Sequence, residues 1–387
     1  MNNKEFSLLI LGNFESVYIV QFIKNLKKEN PRVHLFFWGY TREEKKEERS
    51  FVSCYDDYCL FDIQSIVNSS FGWRFKAIKG MRDSFKNFVA GKHFDYVNIH
   101  YVKPEYCFLL DYFEQCASKL ILTPWGSDVY RVHGLNKLLV QRTFNAADFL
   151  TGCDDRFTRD FKNIFKVPQS KIVYCDLGVE PIEYIFEHKH IIDTKEAKRQ
   201  LGLDNHYIIT CGYNAHQVQH HSEIIEAVYH VKDKLPDNLL LLFPFTYPKE
   251  PEYIQSIKQK VDSLGLKAVY FENFVELPQL FLMRQATDIF IHVQPTDASS
   301  GSLYEYVVCE KKIINGSWLQ YPELFRNGVK PYFEVDSLEN LGKTIVDVYH
   351  SEPIKIEQDL LDNLAKKQWK VVIKDWNRFL SDNLISD

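Results

Sequence analysis

Residues 287–318 read TDIFIHVQPTDASSGSLYEYVVCEKKIINGSW, and this stretch decides the fold class. Residues 288–293 form a short β-branched and aromatic run, the pattern of a buried strand. Ser299, Ser300, Gly301 and Ser302 follow, and side chains this small let a backbone approach a ligand closely. Read as a helix, residues 303–309 turn the free N–H groups of their first turn and the positive end of their dipole toward that loop. An anion such as a diphosphate fits there. Glu305 would lie beside it. A carboxylate does not grip phosphate, so its partner is a pair of hydroxyls such as those of a nucleotide ribose. The same letters also spell a capping box, in which Ser302 and Glu305 satisfy backbone donors and bind nothing. Both readings stand on this segment alone.

The same strand–loop–helix order recurs along the 387 residues, more chain than one hydrophobic core usually supports. Strand patterns occupy 6–11, 33–38, 96–100, 120–122, 149–151 and 172–174, with helical spacing at 16–28, at 135–146 and from 155. The order breaks near Leu177-Gly178-Val179. It restarts with strands at 207–211, 239–243 and 269–271 and helices at 223–234 and 253–264. This is α/β grammar of the doubly wound kind, in two similar halves. The tail 368–384, QWKVVIKDWNRFLSDNL, places Trp369, Ile373, Trp376 and Leu380 on one helical face that needs a surface to cover.

Lys and Arg number 47 against 52 Asp and Glu, a net charge of −5, and no dedicated nucleic-acid binder carries such a balance. The eight cysteines are scattered without a CxxC pair or zinc-like spacing and read as reduced thiols of a cytoplasmic protein. The opening MNNKEFSLLILGNF reads as a first strand, not a signal peptide, and no apolar run reaches membrane-spanning length. The run 42–49 reads as a solvated charged face. Residues 71–94 are the most basic piece, with Arg74, Lys76, Lys79, Arg82, Lys86 and Lys92 against Asp83. As a helix, this piece aligns Ile78, Met81, Phe85 and Phe88 and could lie on an anionic bilayer or pack on the first domain with its lysines solvated. His216 and His220 stand four apart near Glu223, but Gly212-Tyr213-Asn214 argues for a loop there and against a helical metal site.

Several pieces in order carry a resemblance. Asp297 and Glu305 enclose seven residues; Gly12-Asn13 follows the first strand. Then come DYVNIHY (95–101), PWGSD (124–128) and Gly178-Val179-Glu180. The chain resembles the GT-B glycosyltransferases, and within them the retaining family 4 enzymes of bacterial surface polysaccharide synthesis. The resemblance implies two Rossmann-like domains facing a cleft: an acceptor domain, 1–178 with a returning helix 368–387, and a nucleotide-sugar donor domain, 179–367. It implies that Glu305 meets the ribose, that the Ser300, Gly301 and Ser302 backbone meets the diphosphate, and that Asp297 approaches the transferred sugar. His100 would reach that sugar from the first domain, Asp128 would face acceptor or donor, and Asn13 and Trp125 would line the acceptor side. It further implies metal-independent transfer from a nucleotide diphosphate sugar to a glycan or lipid-linked acceptor, at the inner membrane face.

One departure concerns the stretch after strand 207–211. The family places an Arg and a Lys there against the diphosphate; here it reads Gly212-Tyr213-Asn214-Ala215-His216-Gln217-Val218-Gln219-His220-His221. The charge of a leaving diphosphate must still be stabilised. His220 or His221, protonated, are candidates, with Gly212, Tyr213 and Asn214 as backbone contacts; Arg284 and Lys312 are the other cations. The same departure keeps two alternatives open. One is a non-catalytic partner subunit; the other is an inverting transferase or epimerase using Asp128 or His100 as general base.

Overall fold

The computed structural model describes residues 4–40, 50–61, 71–152, 155–247, 250–297, 300–325 and 328–384. The charged run 42–49, Cys153 and Ser299 lie outside these residues. The chain divides into two compact units, Met1–Gly178 with Trp369–Asp387, and Val179–Gln368.

The first unit is built on seven strands: β1 (Phe6–Asn13), β2 (Val33–Tyr40), β3 (Asp57–Phe61), β4 (Phe94–His100), β5 (Ala117–Thr123), β6 (Phe149–Gly152) and β7 (Ile172–Tyr174). They form one sheet in the order β3-β2-β1-β4-β5-β6-β7, and every pairing is parallel. Parallel strands are covered on both faces, which is why β1 and β4 are buried almost throughout. Phe22, Ile23 and Leu26 of the Val17–Glu29 helix and Trp369, Ile373, Trp376 and Leu380 of the Trp369–Asp382 helix share one core cluster with the sheet. The tail's apolar stripe therefore has its cover. Its polar atoms are satisfied as well: Trp369 Nε1 donates to Gln21 Oε1 at 2.6 Å, and Trp376 Nε1 donates to the Asp176 carbonyl at 2.7 Å. Gly178 is required beside this helix, because a Cβ there would lie 2.4 Å from the Trp369 ring.

The second unit carries β8 (Tyr207–Cys211), β9 (Leu239–Phe243), β10 (Ala268–Tyr270), β11 (Ile289–His292), β12 (Lys312–Gly316) and β13 (Phe333–Val335). Their order is β10-β9-β8-β11-β12-β13, again with every pairing parallel. One face is covered by the helices His221–Val231, Pro251–Ser263 and Leu341–His350. The other is covered by Glu180–His188, Leu277–Ala286, Gly301–Val308 and Gln358–Ala365. β12, β13 and the Leu277–Ala286 helix escape the sequence patterns and complete the second sheet.

Both sheets share one topological property. The chain leaves the central strand in one direction, returns, and continues in the other, so the loops after β1 and β4 diverge, as do those after β8 and β11. Such a switch point leaves a crevice at the carboxyl ends of the strands, where doubly wound folds bind ligands.

Candidate functional site

At the switch point of the second unit, the Gly301–Val308 helix begins just beyond β11. Ser300 is its N-cap, with Oγ accepting from Leu303 N at 3.2 Å. The cap therefore falls two residues before the Ser302 of the capping-box reading, and Ser302 and Glu305 lie inside the helix. The reason is a partner that sequence reading missed. His292 closes β11 fully buried, and its Nε2 stands 3.2 Å from Ser300 Oγ. Its Nδ1 stands 2.9 Å from Asn315 Oδ1 of β12. Asn315 donates from Nδ2 to the Gly316 and Leu319 carbonyls, both at 2.9 Å, so its oxygen accepts from Nδ1–H and leaves Nε2 to accept from Ser300. Burial lowers the His292 pKa, and the ring is neutral.

Glu305 lies one turn into the helix, buried against Arg284 of the Leu277–Ala286 helix. Arg284 Nε donates to Glu305 Oε2 at 2.7 Å, Nη1 to Tyr306 Oη at 3.1 Å, and Nη2 approaches Ser302 Oγ at 3.4 Å. Gly301 supplies room beside the carboxylate, for a Cβ there would come 4.0 Å from Glu305 Oε1. Asp297 is held on the loop: its Oδ2 accepts from Gln294 Nε2 at 2.7 Å and Tyr321 Oη at 3.1 Å. Gln294 also donates to Tyr213 Oη at 3.2 Å, and its carbonyl accepts from Trp318 Nε1 at 2.8 Å. The loops after β8, β11 and β12 are thereby tied together around two carboxylates and one helix N-terminus.

The loop after β8 runs from Gly212, with φ +64°, to His220, with φ +58°. Tyr213 N donates to Gln219 Oε1 at 3.2 Å and His216 N donates to Asn214 Oδ1 at 2.9 Å, which fold the loop back on itself. His220 pairs with Glu223 at 3.2 Å. His221 is fully buried with Nδ1 2.9 Å from Tyr253 Oη, and burial lowers its pKa to about 3. It is neutral, so the positive charge expected of it is absent. Lys312 does not supply that charge either. It opens β12 at the amino end of the strand, away from the switch-point loops, where its Nζ donates to the Val348, Tyr349 and Ser351 carbonyls at 2.6–3.1 Å. Tyr247 has an exposed ring, while its phenol is raised in pKa by desolvation, with the Glu305 and Asp297 carboxylates adding to the effect.

At the switch point of the first unit, His100 ends β4 fully buried, 5.3 Å from the Phe22 ring and 6.2 Å from the Trp125 ring. Thr123 Oγ1 donates to Asn98 Oδ1 at 2.9 Å, so Asn98 Nδ2 donates to His100 Nε2 at 3.2 Å and the proton of the neutral ring is on Nδ1. Burial lowers the His100 pKa to about 3. His100 Nδ1, Asn13 Oδ1 and Trp125 Nε1 are all buried side-chain atoms without a hydrogen-bond partner. Two donors and one acceptor at the carboxyl ends of the adjacent strands β1, β4 and β5 suit a hydroxylated ligand. Asp128 is held in this arrangement by three backbone donors. Its Oδ2 accepts from Val102 N at 2.8 Å, and its Oδ1 accepts from the Trp125 and Gly126 N–H groups, both at 2.9 Å. Burial raises its pKa to about 6 against the effect of those bonds. It clamps the 124–128 turn to the loop after β4, where Tyr101 has φ +62°, a conformation that costs a non-glycine residue roughly 1–2 kcal/mol.

Residues 7–154, spanning this first switch point, match the family described as Glycosyl transferase 4-like. The two doubly wound units have the GT-B fold. Among solved structures, a glycosyltransferase from Rickettsia africae ESF-5 superposes with TM-score 0.71 at 13% identity, covering 99% of this chain and 100% of that one. Anabaena HepE in complex with UDP and glucose gives TM-score 0.62 at 13% identity over 98% and 96% of the two chains. The lipopolysaccharide outer core galactosyltransferase WaaB gives 0.64 at 10% identity over 98% and 100%. No curated protein matches this chain in sequence.

Proposed function

We propose that the second unit binds a nucleoside diphosphate sugar and that the enzyme transfers the sugar, with retention, to a hydroxyl of a glycan acceptor. The observation that carries this reading is the Gly301–Val308 helix, which begins at the switch point with Glu305 beside its first turn. Ribose hydroxyls bind the Glu305 carboxylate, the diphosphate lies at the N–H groups of Gly301 and Ser302, and the sugar extends toward Asp297. HepE, of the same fold, binds UDP, which supports the diphosphate at this edge. Gly212, Tyr213, Asn214 and His220 border the same crevice from β8. On the first unit, Asn13, His100 and Trp125 receive hydroxyls, His100 as a neutral donor through Nδ1. In the transfer, the bond from the anomeric carbon to the phosphate oxygen breaks, the acceptor oxygen bonds to that carbon on the same face, and the acceptor proton passes to the departing phosphate.

The acceptor in this reading is lipid-linked, and the enzyme works at a membrane surface. Among the described residues, no helix is long and apolar enough to cross a membrane. The Phe71–Val89 helix packs Met81 and Phe85 inward but leaves Phe75 70% exposed, and the Gly134–Ala146 helix leaves Leu135 and Leu138 70% and 64% exposed. The two helices carry seven Lys and Arg against one acid, in a chain of net charge −5. Exposed apolar side chains among basic ones suit an anionic bilayer.

Calorimetry against UDP, GDP, TDP and CMP, on the native enzyme and on Glu305→Ala, tests the donor site. One nucleotide binds and the variant loses it; binding of none removes the proposal. Sedimentation with phosphatidylglycerol vesicles tests the surface. Native protein sediments and a Phe75→Ser, Leu135→Ser, Leu138→Ser variant does not; equal sedimentation of both, or of neither, removes the membrane reading.

A further inference from the structure

We infer that Arg284 is a positioning residue for the donor: it fixes the Glu305 carboxylate against the ribose hydroxyls and cancels its charge beside the diphosphate. This rests on the nucleotide site proposed above.

The argument starts from an electrostatic conflict. A diphosphate at the N-terminus of the Gly301–Val308 helix shares its site with the carboxylate of Glu305, and two like charges in a dry crevice repel strongly. A buried carboxylate without a counter-charge also takes up a proton, and then offers one acceptor oxygen to a diol instead of two. Arg284 resolves both problems. Its side chain and that of Glu305 are only 4% and 6% exposed, and they meet at 2.7 Å. The pair is neutral overall, so the helix N-terminus keeps its positive potential for phosphate.

The geometry is directional as well. Nε holds Oε2, Nη1 is anchored on Tyr306 Oη, and Nη2 lies 3.4 Å from Ser302 Oγ, so the guanidinium plane is pinned at three points. The ring of Tyr306 lies 4.8 Å from the guanidinium carbon and is itself stacked on Phe290 at 3.9 Å. Oε1 is left on the Gly301 side, where no Cβ obstructs it. Burial disfavours the Arg284 charge, yet Tyr306 and Glu305 outweigh it and the guanidinium pKa is raised, so the cation persists throughout the working range. Tyr306 itself is built into the sheet through Thr210 and Thr287, which ties the clamp to β8 as well as to the donor helix.

The test uses the ratio of affinities for the ribonucleotide that the calorimetric screen selects, UDP in the first instance, and for its 2′-deoxy form, which reports whether the carboxylate meets the ribose 2′-hydroxyl. A hydrogen bond to a charged group makes this ratio about tenfold or more in the native enzyme. In Arg284→Met the ratio falls toward one; in Arg284→Lys, which keeps the charge but loses the planar fork, it is intermediate. Circular dichroism verifies that each variant is folded. If Arg284→Met does not fold, Arg284→Lys and Tyr306→Phe decide the matter by the same ratio. A folded variant that retains the native ratio overturns the positioning role. A native enzyme that binds UDP without discriminating against the deoxy form overturns it as well, by removing Glu305 from the ribose. A native enzyme that binds neither fails at the nucleotide site itself.

Discussion

Replacing Ser300 with alanine should destabilise the second unit far more than replacing Ser302, although the two serines stand two residues apart in one loop. Ser300 Oγ accepts from Leu303 N at 3.2 Å, and loss of an N-cap acceptor costs about 1 kcal/mol. The same oxygen donates to His292 Nε2, which is fully buried, and an orphaned buried acceptor costs a further ~1–3 kcal/mol. Together these make about 2–4 kcal/mol. Ser302 Oγ makes one long contact of 3.4 Å with Arg284, so Ser302→Ala should cost under about 0.5 kcal/mol. For a unit of this size, each kcal/mol moves the melting temperature by roughly 2–4 °C, so Ser300→Ala should lower it by about 4–16 °C and Ser302→Ala by about 2 °C at most. Differential scanning calorimetry of the two variants at pH 7 reads the difference. Equal losses, or a larger loss at Ser302, would return the cap to the Ser302–Glu305 box and remove the His292 relay from the account.

A methyl group at Gly39 would lie 2.2 Å from the Gly12 carbonyl on the neighbouring strand, so Gly39→Ala should lose about 3 kcal/mol by urea titration. Gly80→Ala, whose Cβ meets nothing within 4 Å on an exposed helix face, should instead gain about 0.5–1 kcal/mol. His100 and His221 are held near pKa 3, below their unfolded value, so their neutral burial stabilises fully above about pH 6.5 and is lost as pH falls toward 3. Each should cost about 2 kcal/mol by pH 5. Asp128, raised to about 6, has the opposite sign and offsets part of this between pH 6 and 4; thermal unfolding that is flat between pH 7 and 5 would refute the neutral burial. Trp376→Ala empties a fully buried site under the first sheet and orphans the Asp176 carbonyl, and should cost about 3–5 kcal/mol in chemical denaturation.

The features legible in the sequence are those in which one residue type at one spacing has one physical outcome. The runs that became β1, β8 and β11 are apolar because parallel strands are covered twice, and the Trp369, Ile373, Trp376 and Leu380 stripe can only face a core. The site resisted where the local pattern is degenerate and a distant partner chooses. Ser299, Ser300 and Ser302 are each competent caps. The choice of Ser300 is made by His292, whose own orientation is set by Asn315 on β12, a strand without a recognisable pattern. Arg284 is a candidate cation from the letters alone, but its place was hidden for a related reason. Its helix, LPQLFLMRQA, buries Phe281, Met283, Arg284, Gln285 and Ala286 in near succession, so no polar face appears and no periodicity marks a helix. The absence of the family's Arg and Lys after β8 is readable from letters. That a cation meets Glu305 requires the fold, because a buried arginine in a pattern-free helix reaches it across 21 residues of chain. Lys312 shows the converse: it is close to Glu305 in sequence, yet opens β12 at the opposite end of the strands and spends its three donors on carbonyls at the end of the Leu341–His350 helix. Charge type is therefore a property of the sequence, whereas charge placement at this site is a property of the order β9-β8-β11-β12, which sets which strand ends meet.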